Sequence, residues 1–234
     1  MKNTIQDKAK LVNSVFSKVY NKYDLMNDIM SLGIHRIWKN KFIDWMNPSI
    51  NSSLIDVASG TGDVAKLFSL QNKNLSPVTC VEPNNDMFKK GKSNLANFKN
   101  IKWIKSRAES LPVKDNMFDF YSISYGIRNV SDVDKALKEA YRVLKPGGRF
   151  MCLEFSKINN EFLNFFYKNY SKALPALGKY IVGSSRPYEY LINSIDAFYN
   201  QEQLLALIAK NGFSHVEYRN LSNGISAIHS GWKI

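Results

Sequence analysis

The stretch LIDVASGTGDVAK, residues 54–66, ends an apolar run at an aspartate and then turns on two glycines. Gly60, Gly62 and Ala65 match the pattern G-x-G-x-x-G/A, in which glycines let the backbone approach a nucleotide closely. Glu82 lies twenty residues after Gly62, at the end of the next apolar run, where a carboxylate can reach ribose hydroxyls. This spacing predicts a nucleotide-type cofactor. The alternative is a tight turn without a ligand, because glycine serves such turns in many folds.

Two acidic residues flank the turn and discriminate between cofactors. Asp56 ends the apolar run and Asp63 opens the following helix. NAD would place a pyrophosphate at the helix N-terminus, where these carboxylates would repel it. S-adenosylmethionine instead carries a sulfonium and an ammonium group, which carboxylates attract. We therefore predict S-adenosylmethionine rather than NAD, although Asp63 taken alone is also a common helix-start residue.

Apolar runs alternate with helix-like segments along the middle of the chain. The runs are SLIDVA, VTCVE, IKWIKS, FDFYSIS and RFMCLEFS, and the segments between them are DVAKLFSL, NDMFKKGKSNLANF and DVDKALKEAYRVL. The last segment begins after Ser131 and Asp132, which are good capping residues, and ends at KPGG. The alternation predicts an α/β fold with a doubly wound, mostly parallel sheet, seven-stranded once the C-terminal strands are included. Its strand-to-helix turns should share one ligand-binding edge.

Composition and segment order favour one domain over residues 1–234, because the chain is 44% hydrophobic and shows no low-complexity linker. Residues 1–50 read as an N-terminal helical flap. Residues 157–200 read as a helical insertion after the fifth strand, and the chain then returns to a helix and two strands. No apolar run reaches the 18 residues of a membrane-spanning helix, and the N-terminus lacks the apolar segment of a secretory signal.

The cysteines, the histidines and the net charge exclude fewer functions than the glycine turn does. Cys80 and Cys152 each lie in an apolar run without metal-ligand spacing, so we interpret them as core residues in a reducing compartment. The three histidines are scattered, and no metal site is predicted. The 32 Lys+Arg against 20 Asp+Glu give a net charge of +12, which would suit nucleic acid or an anionic membrane. No block of five like charges exists, so lysines spread over solvated faces explain most of the excess.

Several stretches together resemble the class I S-adenosylmethionine-dependent methyltransferases, which have a Rossmann-like fold: DVASGTGD, VEPNNDMF, LPVKDNMFDFYSISYGIRNV and EAYRVLKPGGRF. Others are similar to the narrower family of ubiquinone/menaquinone biosynthesis C-methyltransferases, the UbiE/MenG type: YDLMNDIMSLGIHRIWK, GIRNV, LEFSK, YEYLINSI and GISAIHSGWKI. The resemblance runs from about Val15 to Ile234. Ala58 stands where many methyltransferases have a glycine, but the narrower family commonly has alanine there.

The resemblance implies cofactor contacts at several strand ends, in addition to those of Asp56, Gly60 and Gly62. These further contacts are Thr61, Glu82, Arg107, Ala108 and Ser124. The segment SRAESLP follows the third strand and SISYG ends the fourth, so both reach the edge that carries the glycine turn. An asparagine often stands at the position of Arg107, so its backbone is expected to serve while its side chain faces solvent.

The family's reaction, as the resemblance implies, transfers a methyl group to a ring carbon of a polyprenylated benzoquinol or naphthoquinol. Such a carbon is a poor nucleophile unless a ring hydroxyl loses its proton, so a fixed cation near the ring oxygen would help. Arg128, just past the fourth strand, is the candidate, and an ion pair with a carboxylate of the flap is the alternative. His35 is a candidate general base by residue type, although a histidine on an amphipathic helix is often structural.

The insertion holds more large apolar residues than one helix face needs: Phe162, Phe165, Phe166, Tyr167, Tyr170, Leu174 and Leu177. We interpret them as a binding surface for the isoprenoid tail of the quinol, with ordinary core or a homodimer interface as the alternatives. A tailed substrate would bring a cytoplasmic protein into peripheral contact with the inner face of the membrane. A homodimer and a quinone-biosynthesis complex are both compatible with the sequence.

The sequence bears on three other functions. A nucleic-acid methyltransferase is disfavoured, because SYGIRN is neither the Asn-Pro-Pro-aromatic motif nor the Pro-Cys motif expected after the fourth strand, so no nucleic-acid partner is predicted. A methyltransferase acting on another small molecule stays open. A non-catalytic, cofactor-binding subunit of a quinone-biosynthesis complex also stays open. The sequence does not choose between benzoquinol and naphthoquinol.

Overall fold

In this computed structural model, the described residues are 33–158 and 185–234, together with Val12, Ser17, Asp28 and Ser31. The predicted flap and insertion are therefore described only in part. The apolar residues assigned to tail binding, Phe162 to Leu177, lie outside the described residues. The prediction of a single domain stays a prediction.

Seven strands form one sheet in the order β3-β2-β1-β4-β5-β7-β6. The five strands from β3 to β5 pair in parallel, and β7 pairs antiparallel with both β5 and β6. This arrangement confirms the predicted mostly parallel, seven-stranded sheet. The strands are β1 Leu54–Val57, β2 Val78–Val81, β3 Ile101–Ile104, β4 Phe118–Ser124, β5 Leu144–Phe155, β6 Ser214–Leu221 and β7 Ser226–Trp232.

Six α-helices are described around this sheet. They are α1 His35–Met46, α2 Asp63–Gln71, α3 Asn85–Asn94, α4 Val133–Val143, α5 Arg186–Asp196 and α6 Gln201–Lys210. The predicted cap of α4 is confirmed, because the Asp132 carboxylate accepts a hydrogen bond from the Lys135 N–H. The helix ends at Val143, just before the KPGG segment, as predicted; that segment lies inside the bounds of β5, where the pairing with β4 is irregular.

Apolar side chains are buried on both faces of the sheet, as expected for a doubly wound fold. On one face Leu54 and Cys80 share a core with residues of α1, α2 and α5, such as Phe42 and Phe68. On the other face the core contains residues of β1, β4 and β5 together with residues of α4 and α6. Cys80 and Cys152 are buried and free, which agrees with their predicted role as core residues.

Helix α1 is the described helix of the predicted flap, and it packs on the sheet. Trp38, Phe42 and Met46 are buried in the same core as α2. The helix therefore approaches the strand ends at which the predicted cofactor residues lie. Among the described residues, no helix is long and apolar enough to cross a membrane, and no group of acidic, histidine or cysteine side chains could hold a metal.

Candidate active site

The carboxyl ends of β1, β2 and β4 lie side by side because these strands are parallel neighbours in the sheet. The glycine turn follows β1, Glu82 follows β2, and Ser124 ends β4. A small cavity opens there, lined by Lys39, Asp56, Ala58, Ser59, Gly60, Thr61, Asp63, Val64, Ser124 and Tyr125. The structure thus brings Asp56, Gly60, Thr61 and Ser124 together as predicted.

The two glycines of the turn serve different purposes. Both have positive φ, +57° at Gly60 and +92° at Gly62, which favours glycine over any L side chain. A Cβ added at Gly62 would lie only 2.5 Å from the Leu95 side chain, so this glycine is needed for packing. A Cβ added at Gly60 would meet nothing within 4 Å. Open space beside Gly60 is what a backbone that receives a ligand requires.

A third glycine, Gly91 of α3, supports the same turn. An added Cβ there would lie 2.9 Å from the Gly60 carbonyl oxygen and 2.2 Å from the Trp103 ring. Helix α3 can approach the turn only because this side chain is absent. The sequence analysis placed Gly91 on a helix but gave it no role. The sequence signal for such a role is a glycine in the middle of a helix. Glycine lowers helix stability, so it indicates that packing requires the absence of a side chain at that position.

Glu82 is where the spacing predicts it, and it also holds the turn in shape. One carboxylate oxygen accepts the Gly60 N–H at 2.9 Å and the other accepts the Asn84 N–H at 2.8 Å. Each oxygen has a second lone pair that can accept a ribose hydroxyl. Burial raises the pKa of Glu82 to about 7, and the two backbone hydrogen bonds only partly oppose this rise. Its contact with the ribose stays a prediction.

Two buried polar atoms beside the turn have no hydrogen-bond partner in the described structure. Asp56 accepts a hydrogen bond from the Ser122 hydroxyl at 2.6 Å through Oδ1, but its Oδ2 is unpartnered. The Ser124 hydroxyl oxygen is unpartnered as well. Burial raises the pKa of Asp56 to about 7. Because buried polar atoms are normally hydrogen-bonded, these atoms fit a ligand that brings polar groups, such as the ammonium of S-adenosylmethionine.

The charge beside the turn differs from the one inferred from the sequence. Asp63 opens α2 as predicted, but its carboxylate is paired with the Lys39 ammonium at 2.6 Å. Asp56, moreover, has a raised pKa rather than the ordinary value of an exposed acid. The turn is therefore flanked by a cation, Lys39 of α1, as well as by the two carboxyl groups.

Thr61, Arg107 and Ala108 complete the predicted cofactor residues. Thr61 is buried within the turn. The Arg107 side chain is half exposed and donates to the Ser131 hydroxyl at 2.6 Å. Ala108 is buried in the core on the α4 side of the sheet. Neither Arg107 nor Ala108 is among the described lining of the cavity, so their cofactor contacts stay predictions.

Arg128 is buried and forms an ion pair with a carboxylate of β5. Its Nη1 lies 2.5 Å from Oε1 of Glu154 in β5 and also donates to the Tyr125 carbonyl at 2.8 Å. Glu154 is fully buried, and this burial raises its pKa while Arg128 opposes the rise. The sequence analysis gave Glu154 no role, and its signal was an acidic residue at the apolar end of a strand.

Helix α5 lies against the turn that carries Arg128. The Tyr190 hydroxyl donates to the Asn129 side-chain oxygen at 2.9 Å, and the Arg128 Nε approaches the Ser194 hydroxyl at 3.4 Å. The family-like stretches GIRNV, LEFSK and YEYLINSI are therefore neighbours in space. Their joint presence in the sequence has a physical basis, since each holds a residue that contacts another of the three.

An aromatic wall, which we define as Trp38, Tyr125 and Phe155, joins the cavity to Arg128. The Phe155 ring lies 4.8 Å from the Tyr125 ring and 6.3 Å from the Trp38 ring, in the latter case edge to face. The Arg128 guanidinium lies 5.5 Å from the centre of the Phe155 ring. Because Tyr125 also lines the cavity, a flat ring between the cofactor and Arg128 would meet this wall.

His35 is a weaker candidate in the structure than in the sequence. It is buried at the start of α1, with Nδ1 2.9 Å from the Ser31 hydroxyl, and it is not among the described lining of the cavity. Burial, followed by the charge of Lys39, lowers its pKa to about 4. A base with so low a pKa accepts protons poorly at neutral pH. Its role as general base stays a prediction, and the geometry favours a structural role.

Two non-glycine residues beside the cavity have left-handed backbones. Ala58 follows β1 with φ +55°, and Tyr125 follows β4 with φ +54°. Gly126 comes next, and a Cβ added there would lie 2.6 Å from the Ala58 methyl. Backbones of this kind persist where the surrounding structure fixes them, and binding sites are among the places where they are found.

Comparison with known proteins identifies the family. The model of the ubiE/COQ5 methyltransferase family matches residues 2–233. Proteins named ubiquinone/menaquinone biosynthesis C-methyltransferase UbiE are 49% identical in Rickettsia bellii and 50% identical in Rickettsia akari. In both cases the match covers 97% of this chain and 94% of the relative.

Solved structures add the fold. A SAM-dependent methyltransferase from Thermotoga maritima has a TM-score of 0.68 at 22% identity, over 94% of this chain and 99% of its own. A Haemonchus contortus phosphoethanolamine N-methyltransferase bound to S-adenosylhomocysteine has a TM-score of 0.62 at 13% identity, over 84% of this chain and 52% of its own. The chain is an S-adenosylmethionine-dependent methyltransferase, and it belongs to the ubiE/COQ5 methyltransferase family.

Proposed function

We propose that this chain transfers a methyl group from S-adenosylmethionine to a ring carbon of a prenylated benzoquinol or naphthoquinol in ubiquinone or menaquinone biosynthesis. Its support is the near-complete match to relatives named for that reaction. The structural observation that carries the proposal is the aromatic wall, which places flat apolar surface between the cofactor cavity and a buried arginine. A quinol ring has the shape and the oxygen substituents to use both.

The residues present fit the cofactor. Asp56 Oδ2 and the Ser124 hydroxyl are buried polar atoms without a described partner, and the space beside Gly60 is open. We assign the ammonium end to Asp56 and the ribose hydroxyls to Glu82, whose two oxygens already hold the turn. When bound, S-adenosylmethionine supplies a methyl group on a positively charged sulfur.

The protein's task in the reaction is to make the ring carbon nucleophilic. A quinol becomes a carbon nucleophile when one hydroxyl loses its proton, and the phenolate then needs a positive charge close by. We assign this charge to Arg128, because a guanidinium stays protonated and Glu154 and the Tyr125 carbonyl hold it in a fixed place. The wall of Trp38, Tyr125 and Phe155 excludes water from that charge, which strengthens its field.

The prenylated substrate also sets where the protein works. A quinol with an isoprenoid tail partitions into membranes, and the net charge of +12 favours an anionic surface. We propose that the chain acts in the cytoplasm and contacts the inner face of the membrane peripherally. A homodimer or a complex with other quinone enzymes is a further part of this proposal.

The direct test is transfer of a labelled methyl group. Purified protein, S-adenosylmethionine with a deuterated methyl group, and reduced short-chain benzoquinol or naphthoquinol acceptors would be incubated and the products analysed by mass spectrometry. We expect the label on a ring carbon of at least one acceptor and none on acceptors whose reactive carbon is already methylated. Cofactor binding without transfer to either acceptor would indicate a non-catalytic subunit instead.

A further inference from the structure

Lys39 of α1 is buried at the point where this helix meets the glycine turn. Its side chain is 9% exposed, and its ammonium lies 2.6 Å from the Asp63 carboxylate. Lysine is almost never this buried unless it is paired. It is also the one cation among the described residues that line the cofactor cavity.

The ion pair with Asp63 does not by itself explain this burial. The Asp63 side chain is 43% exposed, and an ion pair with so exposed a partner contributes little to stability. Moving the lysine ammonium out of water has a substantial cost, which a half-solvated partner offsets poorly. A buried cation held in this way points to a second anionic partner, supplied by the ligand.

The cofactor has a suitable anion. The methionine end of S-adenosylmethionine carries both an ammonium and a carboxylate. The carboxylates of Asp56 and Asp63 suit the ammonium, but neither can bind the cofactor's own carboxylate. Among the described lining residues, only Lys39 offers a positive charge for it.

We propose that Lys39 binds the carboxylate of the cofactor's methionine end, and that its bond to Asp63 positions it before the cofactor arrives. The first helix thereby contributes directly to the cofactor site. This inference rests on the cofactor and does not depend on which quinol accepts the methyl group.

The test compares two ligands across a small set of variants by titration calorimetry. S-adenosylmethionine carries the carboxylate, whereas decarboxylated S-adenosylmethionine lacks it and keeps the ammonium and sulfonium. We expect Lys39→Met to weaken binding of S-adenosylmethionine by about tenfold to a hundredfold, the range for a hydrogen bond to a charged group. Binding of the decarboxylated ligand should change by less than about threefold, because the proposed contact is absent there.

Three further variants make the result decisive. Lys66→Met removes an exposed lysine from α2, the helix of Asp63, and should leave both affinities unchanged. Asp63→Asn removes the charge that positions Lys39, so it should weaken binding of S-adenosylmethionine more than binding of the decarboxylated ligand. Lys39→Arg keeps the charge and should retain the preference for the carboxylate, which also tests the proposal if Lys39→Met folds poorly. Equal losses for both ligands in Lys39→Met, no loss for either, or no carboxylate preference in Lys39→Arg would overturn the assignment.

Discussion

The cofactor cavity and the surroundings of Arg128 lie at the same edge of the sheet but are built in opposite ways. Beside the glycine turn, buried polar atoms of Asp56 and Ser124 have no described partner. At Arg128, the buried charge is matched by Glu154 at 2.5 Å, and a backbone carbonyl accepts a second bond. The first region is prepared to take up a ligand's polar groups, and the second is prepared to hold one charge still. We therefore expect the first region to determine cofactor binding and the second to determine catalysis. Single substitutions in each region can test this.

The largest effect on stability is expected from Glu154→Leu, which leaves the Arg128 charge buried without its partner. Breaking one half of a buried ion pair typically lowers the free energy of unfolding by about 3–5 kcal/mol. Urea denaturation followed by circular dichroism would measure it. The double variant Arg128→Met/Glu154→Leu should recover most of the loss, because no charge is then left unpaired. If the single variant is as stable as the parent, Glu154 does not hold Arg128.

The largest effect on the reaction is expected from Arg128→Lys. Lysine keeps the charge but lacks the planar fork through which Arg128 contacts Glu154, the Tyr125 carbonyl and Ser194. Turnover should fall by about 10²-fold or more, as when one oxyanion-stabilising donor is removed, while the affinity for S-adenosylmethionine stays unchanged.

Both quantities for Arg128→Lys would be measured on one preparation, by methyl transfer and by calorimetry. Full turnover would remove Arg128 from the mechanism. A parallel loss of cofactor affinity would place it in the cofactor site and erase the contrast between the two regions.

A smaller effect, confined to the cofactor region, is expected from Glu82→Ala. Binding of S-adenosylmethionine should weaken by about 1.5–3 kcal/mol, the range for hydrogen bonds to a charged group. Glu139→Ala is the matched control, since Glu139 also accepts a backbone N–H, that of Leu111 at 2.7 Å, but lies in α4, whereas Glu82 is bound to Gly60 of the glycine turn. Calorimetry on both variants should show a loss for Glu82→Ala alone, and equal affinities would mean that the ribose is held elsewhere.

The smallest effect is the pH dependence that the buried carboxylates of the cofactor region should cause. Burial raises the pKa of both Asp56 and Glu82 to about 7, from ordinary values of 3.8 and 4.5. The folded protein therefore binds more protons than the unfolded chain between about pH 4 and pH 7. The stability that these groups contribute is present below pH 4 and is lost as the pH rises through 7.

Cofactor binding should follow the opposite course, because the ammonium and the ribose hydroxyls prefer ionised carboxylates. From pH 6 to pH 8 the affinity should rise by about tenfold in total for each group that ionises near pH 7, because its ionised fraction grows by that factor. Asp56→Asn should flatten this profile in calorimetric titrations. A profile that keeps its slope in this variant and in Glu82→Gln would assign the dependence to other groups.

The fold and half of the site could be predicted from the sequence because their signals are local. Each strand is a short apolar run, Asp132 precedes its helix directly, and the glycine turn is a continuous stretch. Glu82 could be placed because successive parallel strands end at the same edge of the sheet. In all these cases the residues that matter are near each other in the chain or are related by a simple repeat.

The rest depends on contacts that no local pattern encodes. Lys39 meets a residue 24 positions away and Arg128 meets one 26 positions away, and neither pairing follows from the spacing of strands and helices. Burial also reverses simple inferences from residue type: it lowers the pKa of His35 to about 4, where a general base is inefficient. Such pKa shifts can be predicted only from the tertiary structure, because they depend on which side chains are buried next to one another.

The contact between Ala58 and Gly126 carries a consequence for how members of this family vary. Ala58 is the position at which many related enzymes have glycine, and a Cβ at Gly126 would lie 2.6 Å from the Ala58 methyl. The two strand ends therefore share room for a single methyl group. We expect the two positions to covary: chains with alanine at the first should keep glycine at the second, and only chains with glycine at the first should accept a larger residue at the second.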